Sequence, residues 1–480
     1  MSDKASQFFY ITLHREDDSV KGFSVSSELP NPEEEKADPP AQTPAPADVS
    51  PTGSAPSNFK EVFQAFISSI ESYRRFIRMT LSLGPVLSAA MASNRIEKFV
   101  KAKGTHLSDL STDGKAVYQL PRICHREFHV HQDEVIAIVE GARHLPEVMT
   151  IGLVSAYDAF LGQLLRVVLN LHPEIILTSE KTIKLADLAK FASIDDARSS
   201  LIDREIEAVI RSSHQDQFKW MEERFSIPLR TNLTIWPRFV ELCERRNLIT
   251  HTGGVVSAQY LVNCKAHGVD VSKIGLGTKL VVDANYFSEA VAVIYEIGVK
   301  LCHVLWRKFA EQDREEADIG LNERCFDLIH ARAYGLAESL LIFGTTVLKK
   351  HANDKVRRMM IVNLANTVRL QDRKREAKDI LEREDWTAVD NEFAICVAAV
   401  MGDVAGVVSL MRTIGPKGSL SAESFRSWPV FRGLGSIQQF TAAFEEVFGE
   451  PFIAASAVEI SQEENATAGA DAASAKALLN

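Results

Sequence analysis

Leu153, Tyr157, Leu161, Leu164 and Val168 recur at helical spacing between Pro146 and Leu171, which places them on one face of an α-helix. A row this apolar has to be buried against other helices, and it commits the surrounding chain to helix-on-helix packing. Asp158, Gln163, Arg166 and Asn170 interrupt the same stretch. These groups would be costly in lipid, so the segment reads as a buried helix and not as a membrane span. His172-Pro173 ends it.

Similar rows recur along the chain. Asn58 is a candidate cap for a helix with Val62, Phe66, Ile70 and Phe76 inward, which Gly84-Pro85 should end, with a second helix over 86–101. Ser193-Ile-Asp-Asp196 opens a helix with Ile202, Ile206, Val209 and Ile210 inward. Segments 146–171, 194–223 and 235–251 then form an antiparallel bundle. Another strong helix starts near Asn285, with Phe287, Val291, Ile294, Ile297, Leu301, Val304 and Leu305 on one stripe. From Leu321 to Phe448 the pattern changes to shorter paired helices. Ala365 and Ala377 sit where two helices cross closely, as in a tetratricopeptide-like hairpin, and Ala398 begins a similar unit. Phe440, Phe444 and Phe448 form the last row, after Trp428-Pro-Val-Phe431.

The expected fold class is all-α: an antiparallel helical bundle followed by a helical-hairpin domain. Residues 1–57 form an N-terminal extension with a Pro/Ala/acidic linker, too poor in large apolar groups from Glu28 to Ser57 to order itself. Its run Phe8–Leu13 is strand-like, with no evident pairing partner. Residues 58–310 form the bundle, 311–455 the hairpins, and 456–480 a disordered tail.

A formal net charge of −10 over 480 residues argues against a protein that coats nucleic acid by bulk electrostatics, so any RNA contact has to be local. The six cysteines are scattered without a CxxC pair, which reads as reduced, buried thiols in a cytoplasmic protein. The opening Met-Ser-Asp-Lys is not a secretory signal. Leu120–His131 holds three histidines, His125, His129 and His131, and the last two would share one side of a strand without completing a metal site.

The chemistry concentrates in Glu244-Arg-Arg-Asn-Leu-Ile-Thr-His251-Thr-Gly-Gly254. Phe239, Cys243, Asn247 and His251 make one row four apart, apolar at first and polar at the end. Glu241 and Arg245 pair four apart, and Gly253-Gly254 supplies a left-handed stop. An imidazole at His251 can move the proton of a ribose 2′-hydroxyl, and a guanidinium at Arg246 can grip phosphate oxygens. Asn247 can orient either while staying uncharged. No metal or cofactor is needed. The same residues also have a structural reading: Arg246 paired with a carboxylate, Asn247 on local backbone, His251 on the helix-end carbonyls. Asp158 is a candidate orienting group for the motif, or a buried aspartate bonded to backbone or to Arg166, and His214 is a candidate for lining the cleft, or a solvated histidine on a charged helix.

The run Arg245-Arg-Asn-Leu-Ile-Thr-His-Thr-Gly-Gly254, after a helical bundle, resembles the HEPN superfamily (higher eukaryotes and prokaryotes nucleotide-binding). Arg246, Asn247 and His251 match its arginine, polar and histidine positions, and the similarity covers residues 146–265. The resemblance implies a metal-independent endoribonuclease, in the manner of toxins and antiviral defence effectors, that acts on an RNA substrate as a homodimer with one composite site. Helix geometry is consistent with this, because five residues turn Arg246 about 140° from His251. The hairpins then offer a surface to a protein partner. The alternative is a catalytically silent nucleotide-binding or protein-interaction scaffold, since the family also contains members that do not cut.

Overall fold

The computed structural model describes residues 10–16, 19–26, 56–106, 118–177 and 191–453, with residues 10–16, 19–26, 77–95, 106, 125 and 135 as backbone. Apart from two short antiparallel strand pairs and one isolated bridge, the described fold is all-α. Strands β1 (Tyr10–Glu16) and β2 (Ser19–Ser26) pair antiparallel, Tyr10 opposite Ser26, so the strand-like run finds its partner in the segment just after it. The expected linker lies outside the described residues save Pro56 and Ser57, and so does the expected tail.

From Pro56 onward the chain forms one compact unit. Helix α1 runs Phe59–Lys103, capped by the Asn58 side chain, which accepts from the Glu61 amide at 2.9 Å. It continues through Gly84 and Pro85, where two helices were expected. A proline inside a helix forfeits one hydrogen bond, and packing of α1 along its neighbour outweighs that loss. Val62, Phe66 and Ile70 are buried, but Phe76 is exposed. It lies six residues past Ile70, about 240° round the helix and off the inward row.

A minor pairing of β3 (Thr105–His106) with β4 (Tyr118–Gln119) precedes α2 (His125–Leu171). Helix α2 runs through Pro146 and ends at His172. His129 and His131 therefore sit on a helix, and two residues apart there point to opposite sides, which removes the strand geometry behind a two-histidine site. No group of three or more metal-ligating side chains stands together among the described residues. Segment Arg122–Leu171 is long and apolar enough to cross a membrane by length and composition. Its row Leu153, Tyr157, Leu161, Leu164 and Val168 is wholly buried. Around it pack α1, α4 (Ile194–Ile210), α6 (Trp236–Thr252) and α8 (Ala284–Phe309), which makes α2 the centre of the bundle. The four-residue helix α3 is Glu174–Leu177.

The stretch expected as one helix over 194–223 is two. Ser193 caps α4 as anticipated, accepting from the Asp196 amide at 3.0 Å. The chain then breaks at 211–213, and Ser213 caps α5 (His214–Phe225). Serines bond readily to nearby backbone, and Ser213 restarts the helix in a new direction. After α6 come α7 (Ala258–Ala266) and α8, the latter capped by Asp283. From Ala290 to Trp306 no residue of α8 is exposed. At Gly298 a side-chain carbon would overlap the Phe66 ring, so glycine sets how closely α8 approaches α1.

The other side of α8 receives α9 (Arg314–His330) and α10 (Tyr334–Ile342). Then follow α11 (Asp354–Arg369), α12 (Lys374–Leu381), α13 (Asn391–Met401) and α14 (Val404–Ile414), each pairing with the next. Ala365 and Ala377 are fully buried where α11 meets α12, while in the next pair Ala399 is buried and Ala398 only partly so. Helices α15 (Ala422–Ser427) and α16 (Gln438–Phe448) are the last of the described helices, with Phe440 and Phe444 in the core. Core residues run without interruption from bundle to hairpins. Polar contacts tie the same seam: Arg307 pairs with the fully buried Asp318, and Glu296 accepts from Ser339 at 2.7 Å. All six cysteines are buried and unpaired.

His303 lies inside this seam, edge-on to Phe63 at 4.8 Å and stacked on Trp306 at 5.9 Å, with neither ring nitrogen bonded. Burial, reinforced by the Arg307 charge, lowers its pKa from 6.5 to about 3. The unfolded chain takes up that proton near the ordinary value and the folded chain refuses it. Stability is therefore full above pH 6.5 and is lost as pH falls toward about 3. Replacing His303 by Phe should flatten this acid limb in denaturant titrations from pH 7 to 4; an unchanged slope would mean that other groups set it.

Candidate functional site at the end of helix α6

Helix α6 begins with Pro237 in its first turn, where no hydrogen bond is forfeited, and stops at Gly253, whose φ of 60° is the left-handed conformation glycine adopts freely. The Gly254 amide closes the end by donating to the Leu248 carbonyl at 3.0 Å. Along the expected row Phe239 and Cys243 are buried, Asn247 is half-buried and His251 is exposed, so the row climbs out of the core as its chemistry turns polar.

The two adjacent arginines have different environments. Arg245 donates to Glu241 at 2.7 Å and to the Val281 carbonyl at 3.2 Å, and its guanidinium lies over the Tyr286 ring at 4.1 Å. Glu241 also accepts from the Tyr260 hydroxyl at 2.9 Å and the Tyr286 hydroxyl at 2.8 Å. Burial alone would lower the Arg245 pKa, but the Tyr286 and Glu241 oxygens outweigh it and hold it above the ordinary value. Burial pushes both phenols up, and the Glu241 charge adds to this. Every strong group in this knot is used, and the knot fastens α6 to α7 and α8.

Arg246 points toward α2. Its Nη2 lies 3.4 Å from Asp158 Oδ2, and Asp158 Oδ1 lies 2.9 Å from His214 Nε2. Asp158 thus bridges the arginine and the histidine. Arg166, the partner expected for Asp158, pairs with Asp203 instead, and His214, expected in solvent, is 5% exposed against Tyr157 and Phe239. A separation of 3.4 Å is long for a charge-assisted bond, so the carboxylate holds Arg246 loosely. The Arg246 Nε is buried with no acceptor. Cys243, one turn back, is held well above its ordinary pKa by burial, which outweighs the opposing Arg246 charge and keeps the thiol protonated.

Asn247 and His251 have no side-chain hydrogen bond to a described residue, whereas the neighbouring Thr250 and Thr252 bond back to the Arg246 and Leu248 carbonyls at 2.9 Å each. One chain therefore brings Arg246 together with Asp158 and His214, and leaves His251 on a different side of the helix end. Sequence reading undervalued Asp158 and His214. The available signal was the lone carboxylate in an otherwise apolar core row, which has to find a partner.

No protein-family model, curated protein or solved structure matches the chain.

Glu241 gathers three donors at 15% side-chain exposure. Glu241→Ala should cost about 3 kcal/mol in urea unfolding, because Arg245 and two phenols lose their acceptor together. A midpoint equal to wild type would show that the knot does not hold α6 in place.

Proposed function

We propose that the chain is a metal-independent endoribonuclease of HEPN type that cuts RNA as a homodimer, in the role of a toxin or antiviral defence effector. The observation that supports this reading is the placement of Asn247 and His251, unengaged at the open end of α6, on the same helix as an Arg246 that reaches Asp158 by one long contact. In the proposed reaction His251 takes the proton of a ribose 2′-hydroxyl, and that oxygen attacks the adjacent phosphorus. The P–O5′ bond breaks, and the protonated His251 of the second copy returns a proton to the leaving O5′. Arg246 neutralises charge on the non-bridging oxygens, and Asn247 orients the phosphate. A second copy is required because Arg246 and His251 lie about 140° apart on one helix.

One observation favours a silent scaffold instead: Arg246 already has a carboxylate partner, and its Nε is shut in without an acceptor. Single-stranded RNA incubated with full-length protein separates the two readings. The nuclease should cut in excess EDTA and leave 2′,3′-cyclic phosphate or 3′-phosphate ends, with Arg246→Ala and His251→Ala each slowing cleavage at least about a hundredfold while remaining folded. Cutting that persists in His251→Ala removes the assigned role. Growth arrest on overproduction of wild type but not of His251→Ala tests the toxin role.

A further inference from the structure

Most arginines of the hairpin half have a carboxylate. Arg357 binds Glu384, Arg373 binds Glu338 and Glu376, Arg412 binds Glu446, and Arg426 binds Glu450. Arg369 and Arg432 depart from this pattern, since neither forms an ion pair with a described carboxylate. Arg369, at the end of α11, donates through Nη2 to Asn366 Oδ1 at 2.7 Å and to the Val430 carbonyl at 3.0 Å. Two residues beyond Val430, Arg432 donates to the Tyr334 hydroxyl at 2.7 Å and reaches the His330 carbonyl at 3.4 Å. Both arginines are half-buried. The turn that receives Arg432 carries a third arginine, Arg332, which is exposed and likewise has no ion pair to a described carboxylate. The Glu338 carboxylate, one turn along α10 from Tyr334, is already taken by Arg373 and Gln371.

Half-buried cations are ordinarily neutralised, because each loses hydration and its neighbour's like charge adds to the cost. Here the described residues supply only neutral oxygens. Burial, followed by the charge of Arg432, lowers the Arg369 pKa, so the largest charge acting on Arg369 is that of its fellow arginine. The Arg369 Nη1 and Arg432 Nε groups have no acceptor among the described residues and are not sealed from solvent, so they remain available to a ligand. One free nitrogen on each of two guanidiniums, with the proton of the Tyr334 hydroxyl that accepts from Arg432, suits a tetrahedral, doubly charged oxyanion reached from several sides better than a flat, singly charged carboxylate that wants one whole fork.

We propose that Arg369 and Arg432, with Arg332 at the rim, form a binding site for a phosphate monoester dianion where α11, the α9–α10 turn and the turn at Pro429–Phe431 meet. The site is independent of the nuclease reading. Its ligand is inorganic phosphate or the terminal phosphate of a nucleotide.

Thermal unfolding of the full chain at fixed ionic strength tests this, with inorganic phosphate, a nucleoside 5′-monophosphate and an oligoribonucleotide without terminal phosphates set against chloride. Phosphate and the monophosphate should raise the wild-type Tm. Arg432→Gln should bind phosphate at least about tenfold more weakly. Arg332→Glu, which exchanges one exposed non-glycine side chain for another at a φ of 59°, places a carboxylate at the rim and should also remove the shift. A larger shift with the monophosphate identifies a nucleotide as the source, and equal shifts identify phosphate itself. Shifts that are absent in wild type, that persist unchanged in Arg332→Glu, or that occur only with the oligonucleotide would overturn the proposal.

Discussion

A single carboxylate inside the central helix governs how the bundle closes. Asp158 sits in the middle of α2, beside the fully buried Tyr157. With 22% of its side chain exposed, the carboxylate keeps some contact with water and takes partners from the protein for the rest. Its two oxygens are met by His214 from α5 at 2.9 Å and by Arg246 from α6 at 3.4 Å, so the demand of one residue ties α5 closely to α2 and α6 more loosely. The end of α6 inherits its orientation from that demand. The neighbouring Glu241 knot does the same on the opposite side, and α6 is held between two charged clasps with its last turn left open.

Much of the fold was legible because burial writes a period into the sequence. The row from Leu153 to Val168, the α8 stripe and the Phe440–Phe444 pair follow helical spacing and end up in the core. Caps were equally readable: Asn58 and Ser193 each accept from an amide three residues on. Breaks were harder. Pro85 and Pro146 lie inside helices because long-range packing outweighs one lost hydrogen bond, while Ser212-Ser213, a weaker local signal, divides a stretch that reads as continuous. His129 and His131 were misplaced for a related reason, since two polar residues at alternate positions look alike in a strand and on a solvated helix.

At the candidate site the sequence identified the helix, its stop and its row, but not what surrounds each polar group. Arg245 and Arg246 are adjacent and chemically identical, and only the third dimension separates a fully used guanidinium from one held by a single long contact. The His214–Asp158 contact spans 56 residues and has no local signature. The unpaired arginines of the hairpins were invisible for the same reason: a missing carboxylate is a property of space, not of spacing.

Between Ala290 and Trp306 helix α8 has no idle side. Bundle helices cover one flank and the first hairpin the other, with Glu296 and Arg307 reaching across to Ser339 and Asp318. A protease nicking the chain near residue 310 and pulling the pieces apart would leave each fragment with a raw, sticky stripe. Release of a freely diffusing N-terminal fragment is therefore a poor way to regulate this molecule, and any signal arriving at the hairpins has to travel through an intact joint.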